Sequence, residues 1–486
     1  MGESDRFVLG RIVKGGIWFY GTSLINNLSG FVYWMIISKI AGSSVLGTTS
    51  AVVGVASLVN GVLGLGIPTG IQRYVGRAIG EKDLQEMKIY FWTGAIFSLA
   101  IYISSAVVLF TISGLGLSIG NITPQMFRMA SLLVLLGSGS PLMALIIAHL
   151  RTQVLFMAAL LGGTGKLIVG ITLVVMGFGW IGATIGYAAS YLINLMILLV
   201  YSLEIAHPLT RPSLTHLIEV LRAGLATWIP SVVAIAGQWL SVLLIYGFSN
   251  PSATGRFYIA FTASNAVIFI ATGVLSLLLP VLSGMRDHRR RITDRVLNVA
   301  LALSTPIATF LIAEPEVVLS LLGKEYIQAS MDLRILLLSL IPLSVTVAVR
   351  SLLYAYGDYG KVTVMGLSQN IPRIAFYSIL TPIMGSIGAS ISYTLGALTG
   401  MITSLFYGWK RGYTVDPRKI VIVAGIPAAL TTTAFLVFPA CWLATLALAA
   451  ASYPVYLKLG VITVEDLREV VKEILSRHVE GTWITS

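Results

Sequence analysis

The chain has 486 residues, 56% of them hydrophobic and 11% charged, with a formal net charge of +12. A soluble protein carries roughly 25% charged residues, so this composition, with a mean hydropathy of +0.88, excludes a soluble globular domain and indicates an all-α polytopic membrane protein. The single cysteine, Cys441, excludes a disulfide framework and a Cys-based metal site.

The opening segment, MGESDRFVLGRIVKGG, is too long and too charged for a cleaved signal, and the apolar stretch after it is long enough to remain as a span. Fourteen helices are predicted, at 13–38, 45–71, 89–112, 127–148, 154–176, 180–203, 223–247, 256–283, 295–313, 333–355, 361–381, 387–408, 419–437 and 440–457. Each holds roughly the 17–25 residues that a bilayer requires, with allowance for tilt. The expected organisation is an N-lobe over 1–210 (helices 1–6), a C-lobe over 211–418 (helices 7–12), helices 13 and 14 over 419–458, and a cytoplasmic amphipathic tail over 459–486.

Lys and Arg set the orientation. With the N-terminus inside, the inner segments hold 24 of the 32 basic residues, including Arg73, Arg77, Lys82 and Lys88 in one loop and the Arg289-Arg290-Arg291 run in another. The outer loops 114–124 and 382–386 hold none. This asymmetry predicts that both termini are cytoplasmic, and the cell membrane is the expected location. It accounts for the net charge without nucleic acid. The 20 acids fall in loops, rims or tails. Proton and sodium relays usually need a carboxylate inside the membrane, and the spans hold none.

An internal repeat carries the functional reading. One copy runs RTQVLFMAALLGGTGKLIVG…IGATIGY from Arg151 to Tyr187, and the other DYGKVTVMGLSQNIPRIAFY…IGASISY from Asp358 to Tyr393. Lys166 and Arg373 occupy matching places, each 15 residues after the start of its copy. Six helices separate the copies, so both cross in the same direction, as in a parallel repeat. Weaker matches pair Lys14 with Arg222, Trp18 with Trp228 and Gly47 with Gly255. Both cations fall near the midplane, where each costs roughly 2.5–3.5 kcal/mol by insertion scales. They therefore face a wet cavity or a partner, and an anion is the natural one. Arg350 is a third intramembrane cation.

Each of these has a bland alternative. Lys166 snorkels, Arg373 caps carbonyls freed by Pro372, and Arg350 reaches the inner interface. Pro372 removes a helix hydrogen bond and is expected to kink its span beside Gln369 and Asn370. Asn26, Asn27, Asn60, Gln238 and Asn265 read equally as cavity lining or as interhelical hydrogen bonds. Lys39, Arg128, Arg256 and Arg334 read as rim anchors. Gly162-Gly163-Thr164-Gly165-Lys166 imitates the end of a phosphate-binding loop, but Leu160 and Leu167 stand where that motif needs Gly and Ser or Thr. Residues 463–477 place apolar residues at helical spacing after Thr463, an amphipathic helix for the inner surface. No histidine, acid or cysteine cluster indicates catalysis, a metal or a cofactor.

Several segments then resemble one family: SKIAGSSVLGTTSAV (38–52), GIPTGIQRYVGRAIGEKDLQEMK (66–88, with Arg73 at the usual basic position), SLLGKEYIQASMDLRIL (320–336) and YAYGDYGKV (354–362). The chain resembles the Wzx-type oligosaccharide and polysaccharide flippases of the multidrug/oligosaccharidyl-lipid/polysaccharide (MOP) exporter superfamily. That resemblance implies fourteen helices, two lobes around a V-shaped cavity, for whose lining the amides and Arg73 are candidates, and alternating access for a polyprenyl-phosphate- or pyrophosphate-linked sugar. It implies a transporter rather than an enzyme, working as a monomer with lipid-linked oligosaccharide and membrane lipids as partners. The alternatives are a peptidoglycan-precursor flippase, a multidrug cation antiporter of the same superfamily and a membrane scaffold for glycan assembly.

Overall fold

The computed structural model describes residues 3–118, 120–283, 285, 287–439 and 441–460; the expected tail helix at 463–477 lies outside them. The described chain is helical throughout. In order the helices are α1 (Glu3–Leu63), α2 (Ile67–Gly80), α3 (Leu84–Gly114), α4 (Pro124–Leu136), α5 (Ser140–Ala148), α6 (Thr152–Leu173), α7 (Gly179–Ala206), α8 (Leu214–Phe248) and α9 (Pro251–Ser276). Then come α10 (Leu278–Ser283), α11 (Arg289–Ala313), α12 (Pro315–Leu322), α13 (Ser330–Leu337), α14 (Leu340–Ala355), α15 (Tyr359–Lys410), α16 (Pro417–Val437), α17 (Trp442–Ala450) and α18 (Ser452–Lys458). Helices are the form a chain this apolar must take, because lipid satisfies no backbone hydrogen bond.

Among the described residues, ten helical stretches are long and apolar enough to cross a membrane. Three are of double length: Trp18–Leu63, Thr152–Ala206 and Tyr359–Lys410, with 46, 55 and 52 residues. A bilayer core takes about 20 residues, so each holds two passes. With α17 and α18 after them, they are compatible with the fourteen expected helices. Apolar side chains face outward as well as inward: Val107, Val108 and Phe110 on α3 are all more than half exposed, as a lipid-facing surface requires.

The breaks in the double-length stretches fall at glycines, and two of them correspond. Aligning Ile181-Gly182-Ala183 with Ile387-Gly388-Ala389 pairs Gly179 with Gly385. Gly179 has φ 52° and ψ −133°, and Gly385 has φ 59° and ψ −133°. That region of the backbone map is closed to side chains with a Cβ. The repeat therefore duplicates a turn as well as a sequence. The helical run continues unbroken from Tyr359 through Pro372 to Gly385.

At the opposite ends of the two hairpins an ion pair closes each one. Arg151 Nη1 donates to Glu204 Oε1 at 3.0 Å, tying the start of α6 to the end of α7. Arg411 Nε and Nη2 donate to Asp358 Oδ2 and Oδ1, both at 2.5 Å, tying the two ends of α15. Both bridges span 53 residues, and their polarity is reversed between the copies. The Arg411 guanidinium holds the Asp358 carboxyl below its ordinary range, with Lys361 assisting at 3.2 Å.

By contacts the chain divides into two compact units, residues 1–259 with 374–392 and residues 260–373 with 393–486. In the first, α1 packs on α6, α7 and α8, and α2 on α3, α5 and α8. Gly47 and Gly255, matched in sequence, meet there face to face. A Cβ on Gly47 would lie 1.8 Å from Pro251 O, and one on Gly255 would lie 1.9 Å from Ser43 O. In the second, α11 is the central element, packed on α14, α16 and α17.

Two outcomes follow from this framework. Gly47→Ala drives its Cβ into backbone rather than a yielding side chain, so purified protein melts several degrees lower, by scanning fluorimetry, than Gly425→Ala, whose Cβ meets open space. Arg151→Glu opens the first clasp and lowers the melting temperature, and the reversed pair Arg151→Glu/Glu204→Arg, with the polarity the second clasp already uses, recovers most of that loss.

Candidate functional site

Each cation is the fifteenth residue of its helix, Lys166 in the helix that opens at Thr152 and Arg373 in the one that opens at Tyr359. At 1.5 Å rise per residue both stand about 21 Å along the axis from the end that carries the ion-pair clasp. Both are buried, Lys166 at 6% exposure and Arg373 at 4%. The ion pairs of Arg77, Arg151, His216, Lys361, Arg411 and Lys419 lie at helix ends, and neither Lys166 nor Arg373 takes part in one of them.

Aromatic faces take the place of carboxylates. Lys166 Nζ lies 5.0 Å from the centroid of the Tyr187 ring on α7 and 5.5 Å from that of Tyr33 on α1. Tyr33 is anchored by its hydroxyl, which donates to Ala183 O at 2.5 Å. Trp34 packs 5.3 Å from Tyr187 and 5.0 Å from Tyr258, extending the aromatic wall. A cation over a ring face is attracted by the ring quadrupole, more strongly where water is excluded.

Arg373 repeats the arrangement more tightly. Its Cζ stands 4.0 Å from the centroid of Tyr393. Nη1 donates to Asn370 Oδ1 at 3.5 Å, and Asn370 Nδ2 donates to Gly366 O at 2.9 Å. The Tyr393 hydroxyl donates to Asn265 Oδ1 at 3.5 Å, and its ring meets Phe261 edge to face at 5.3 Å. Nε and Nη2 of Arg373 are buried and without a partner. Those two nitrogens form the edge with which a guanidinium grips two oxygens at once. Gly396 makes room for the stem, since a Cβ there would lie 2.5 Å from Arg373 Cβ.

One turn before each cation the repeat places an amide, supplied by opposite helices in the two copies. In the first copy Gly162 stands there, and a Cβ on it would lie 2.1 Å from Asn194 Nδ2 across the hairpin. In the second copy Gln369 stands there, and the facing residue is Gly400, whose Cβ would lie 2.9 Å from Gln369 Cβ. Each group thus has a buried cation, a tyrosine seven residues before the facing position, and an amide either one turn before the cation or at that facing position.

The structure thus gathers Arg373, Gln369, Asn370 and Asn265 from the sequence candidates. Arg350 is exposed on α14 and stands outside that group, and Arg73 is exposed with its guanidinium over Tyr74. Asn26, Asn27 and Gln238 are exposed, with Asn27 Nδ2 donating to Ser23 O. Asn60 is half-buried, with Oδ1 unpartnered. Sequence reasoning missed Tyr187, Tyr393, Tyr33 and Asn194. The signal for the first two was present, since they are the final residues of the two aligned copies. Among the described residues no group of His, Cys, Asp and Glu is arranged to hold a metal ion.

Comparison with solved structures finds the same fold in known transporters. The lipid II flippase MurJ in an inward closed conformation is similar over 91% of this chain and 98% of its own, with a TM-score of 0.77 and 15% identity. An inward-facing multidrug resistance MATE family transporter of the MOP superfamily is similar over 78% of this chain and 94% of its own, with a TM-score of 0.59 and 15% identity. A eukaryotic MATE transporter gives a TM-score of 0.56 at 17% identity, over 86% of this chain and all of its own. At these identities the likeness concerns the fold alone. No curated protein matches the sequence. A family model described as polysaccharide biosynthesis protein matches residues 51–331, more than half of the chain, and the chain belongs to that family.

Proposed function

We propose that this protein is a flippase that moves a polyprenyl-phosphate- or pyrophosphate-linked oligosaccharide from the cytoplasmic to the outer leaflet. The (pyro)phosphate binds at Lys166 and Arg373, one from each half of the repeat, with Arg350 a further cation on the route. The glycan occupies a central cavity and the lipid tail stays in the bilayer. Two six-helix lobes rock to turn the site from one side to the other, and both termini are cytoplasmic.

The observation that carries this reading is the pair of buried cations without countercharge. Removing a Lys or Arg from water is costly enough that such groups are normally paired or neutralised. Here the pairing is with ring faces, and Arg373 keeps two buried N–H groups unpartnered. An oxyanion supplies what both lack. Membership of a polysaccharide biosynthesis family and a transporter fold support a lipid-linked glycan as the cargo. A drug-cation antiporter is disfavoured by the same charges, which repel its substrate. A peptidoglycan precursor presents the same pyrophosphate, so the two flippase readings share this site and differ in the glycan.

Reconstitution in proteoliposomes with fluorescent lipid-linked sugars tests the proposal. Lys166→Gln or Arg373→Gln lowers flipping at least tenfold while membrane insertion and melting temperature hold. Full transport by the double variant would sink it. A panel of glycans on one lipid pyrophosphate separates an oligosaccharide carrier from a peptidoglycan-precursor carrier.

A further inference from the structure

The two tyrosines are the most closely duplicated contact in the molecule, and no part of the transport proposal requires them. Tyr187 and Tyr393 both stand five residues after the second residue of an Ile-Gly-Ala triplet. Each lies across a glycine turn from its cation. The alignment slips by one residue between cation and tyrosine, from 21 residues in the first copy to 20 in the second. The contact survives the slip, and it survives the change from ammonium to guanidinium. The flanking amide, the clasp and the residue one turn beyond the cation (Gly170 against Tyr377) have all drifted between the copies. A ring present only to fill space has no reason to stay with the cation through a one-residue slip while the amide and the clasp change places.

We infer that Tyr187 and Tyr393 are positioning residues for anion binding: each holds its cation by the face and leaves the N–H groups to the ligand. This rests on the anion-site reading above and deepens it. Arg373 shows the division of labour directly. Its Cζ lies over the Tyr393 ring, its Nη1 is taken by Asn370, and Nε and Nη2 are the nitrogens left over. Their edge presents two parallel N–H groups, the geometry that matches two oxygens of one phosphate. A ring face attracts the cation through its quadrupole and is only a weak acceptor, so it orders the side chain while leaving most of its donor capacity to a stronger acceptor. A carboxylate in the same place would occupy the donors and cancel the charge. Lys166 has no such edge; between two rings its ammonium is a point charge. Arg373 thus offers an oxyanion a directional contact and Lys166 a point charge.

The test uses full-length protein in detergent, with inorganic pyrophosphate as probe and titration calorimetry as readout. Tyr393→Phe and Tyr187→Phe keep a ring face and bind within about twofold of the unaltered protein. Tyr393→Leu and Tyr187→Leu bind about tenfold more weakly, the range expected for a desolvated cation–ring contact. Where a Leu variant fails to fold, phenylalanine with one, two and three ring fluorines at position 393 keeps the shape and weakens the quadrupole stepwise. Affinity then falls with each fluorine. Leu variants that bind as well as the Phe variants, or a flat or rising fluorine series, overturn the positioning role. Absence of pyrophosphate binding by the unaltered protein, or binding that persists in Lys166→Gln/Arg373→Gln, overturns the anion site itself, a different result from the first.

Discussion

The site depends on a cation held against an aromatic face in a place where no acid balances it. Each such cation costs roughly 2.5–3.5 kcal/mol to bring to the middle of a membrane. A desolvated cation–ring contact returns about 2 kcal/mol or more. On the proposed reading the charge of both cations is left for an anion to balance. A carboxylate would have removed it permanently. On the proposed reading the rings lower the cost of the bare cations and leave their charge available to a ligand.

The repeat separates what that constraint fixes from what it leaves free. The two copies keep the cation at the fifteenth helical residue, the glycine turn with ψ near −133°, and the tyrosine after the turn. They exchange everything that has an equivalent by symmetry. The clasp keeps its 53-residue span while its charges trade places. The amide one turn before the cation moves to the facing helix, and the glycine that admits it moves the other way. An ion pair or an amide facing a glycine works equally well in either orientation, because only the sum across the hairpin matters. A cation facing a tyrosine does not, because exchanging them would carry the charge onto the other helix and change what it faces.

This also explains how much was legible in the sequence. Hydropathy found the membrane elements and underestimated their length where a helix leaves the bilayer. The seventh was expected from 223 and starts at Leu214; the ninth was expected from 295 and starts at Arg289. Hydropathy marks lipid, whereas backbone hydrogen bonds continue through Leu214–Arg222 and the Arg289-Arg290-Arg291 run regardless of what surrounds them. Lys166 and Arg373 stood out because a charge inside a span is rare. Their partners did not, because a tyrosine among twenty carries no mark of its own, and the contact exists only once the chain has turned back at Gly179 or Gly385. The same holds for Asn194, one amide among several until the turn sets it opposite Gly162.

The polarity of the site has a consequence for the cycle on the proposed reading. A carrier built around a membrane carboxylate must neutralise that acid, with a proton or a cation, before it can move as an empty protein. A carrier built around cations is in the reverse position: it is most highly charged when empty and closest to neutral when a phosphate or pyrophosphate is bound. The loaded form is then the less costly one to enclose away from water, and the substrate itself supplies the countercharge. The ring faces moderate the other half of the cycle. By lowering the cost of the bare cations they keep the empty protein from being trapped in whichever state exposes Lys166 and Arg373 to water. Too strong a partner would abolish substrate binding, and too weak a one would prevent the return, so a neutral, polarisable ring is the side chain that fits between the two failures.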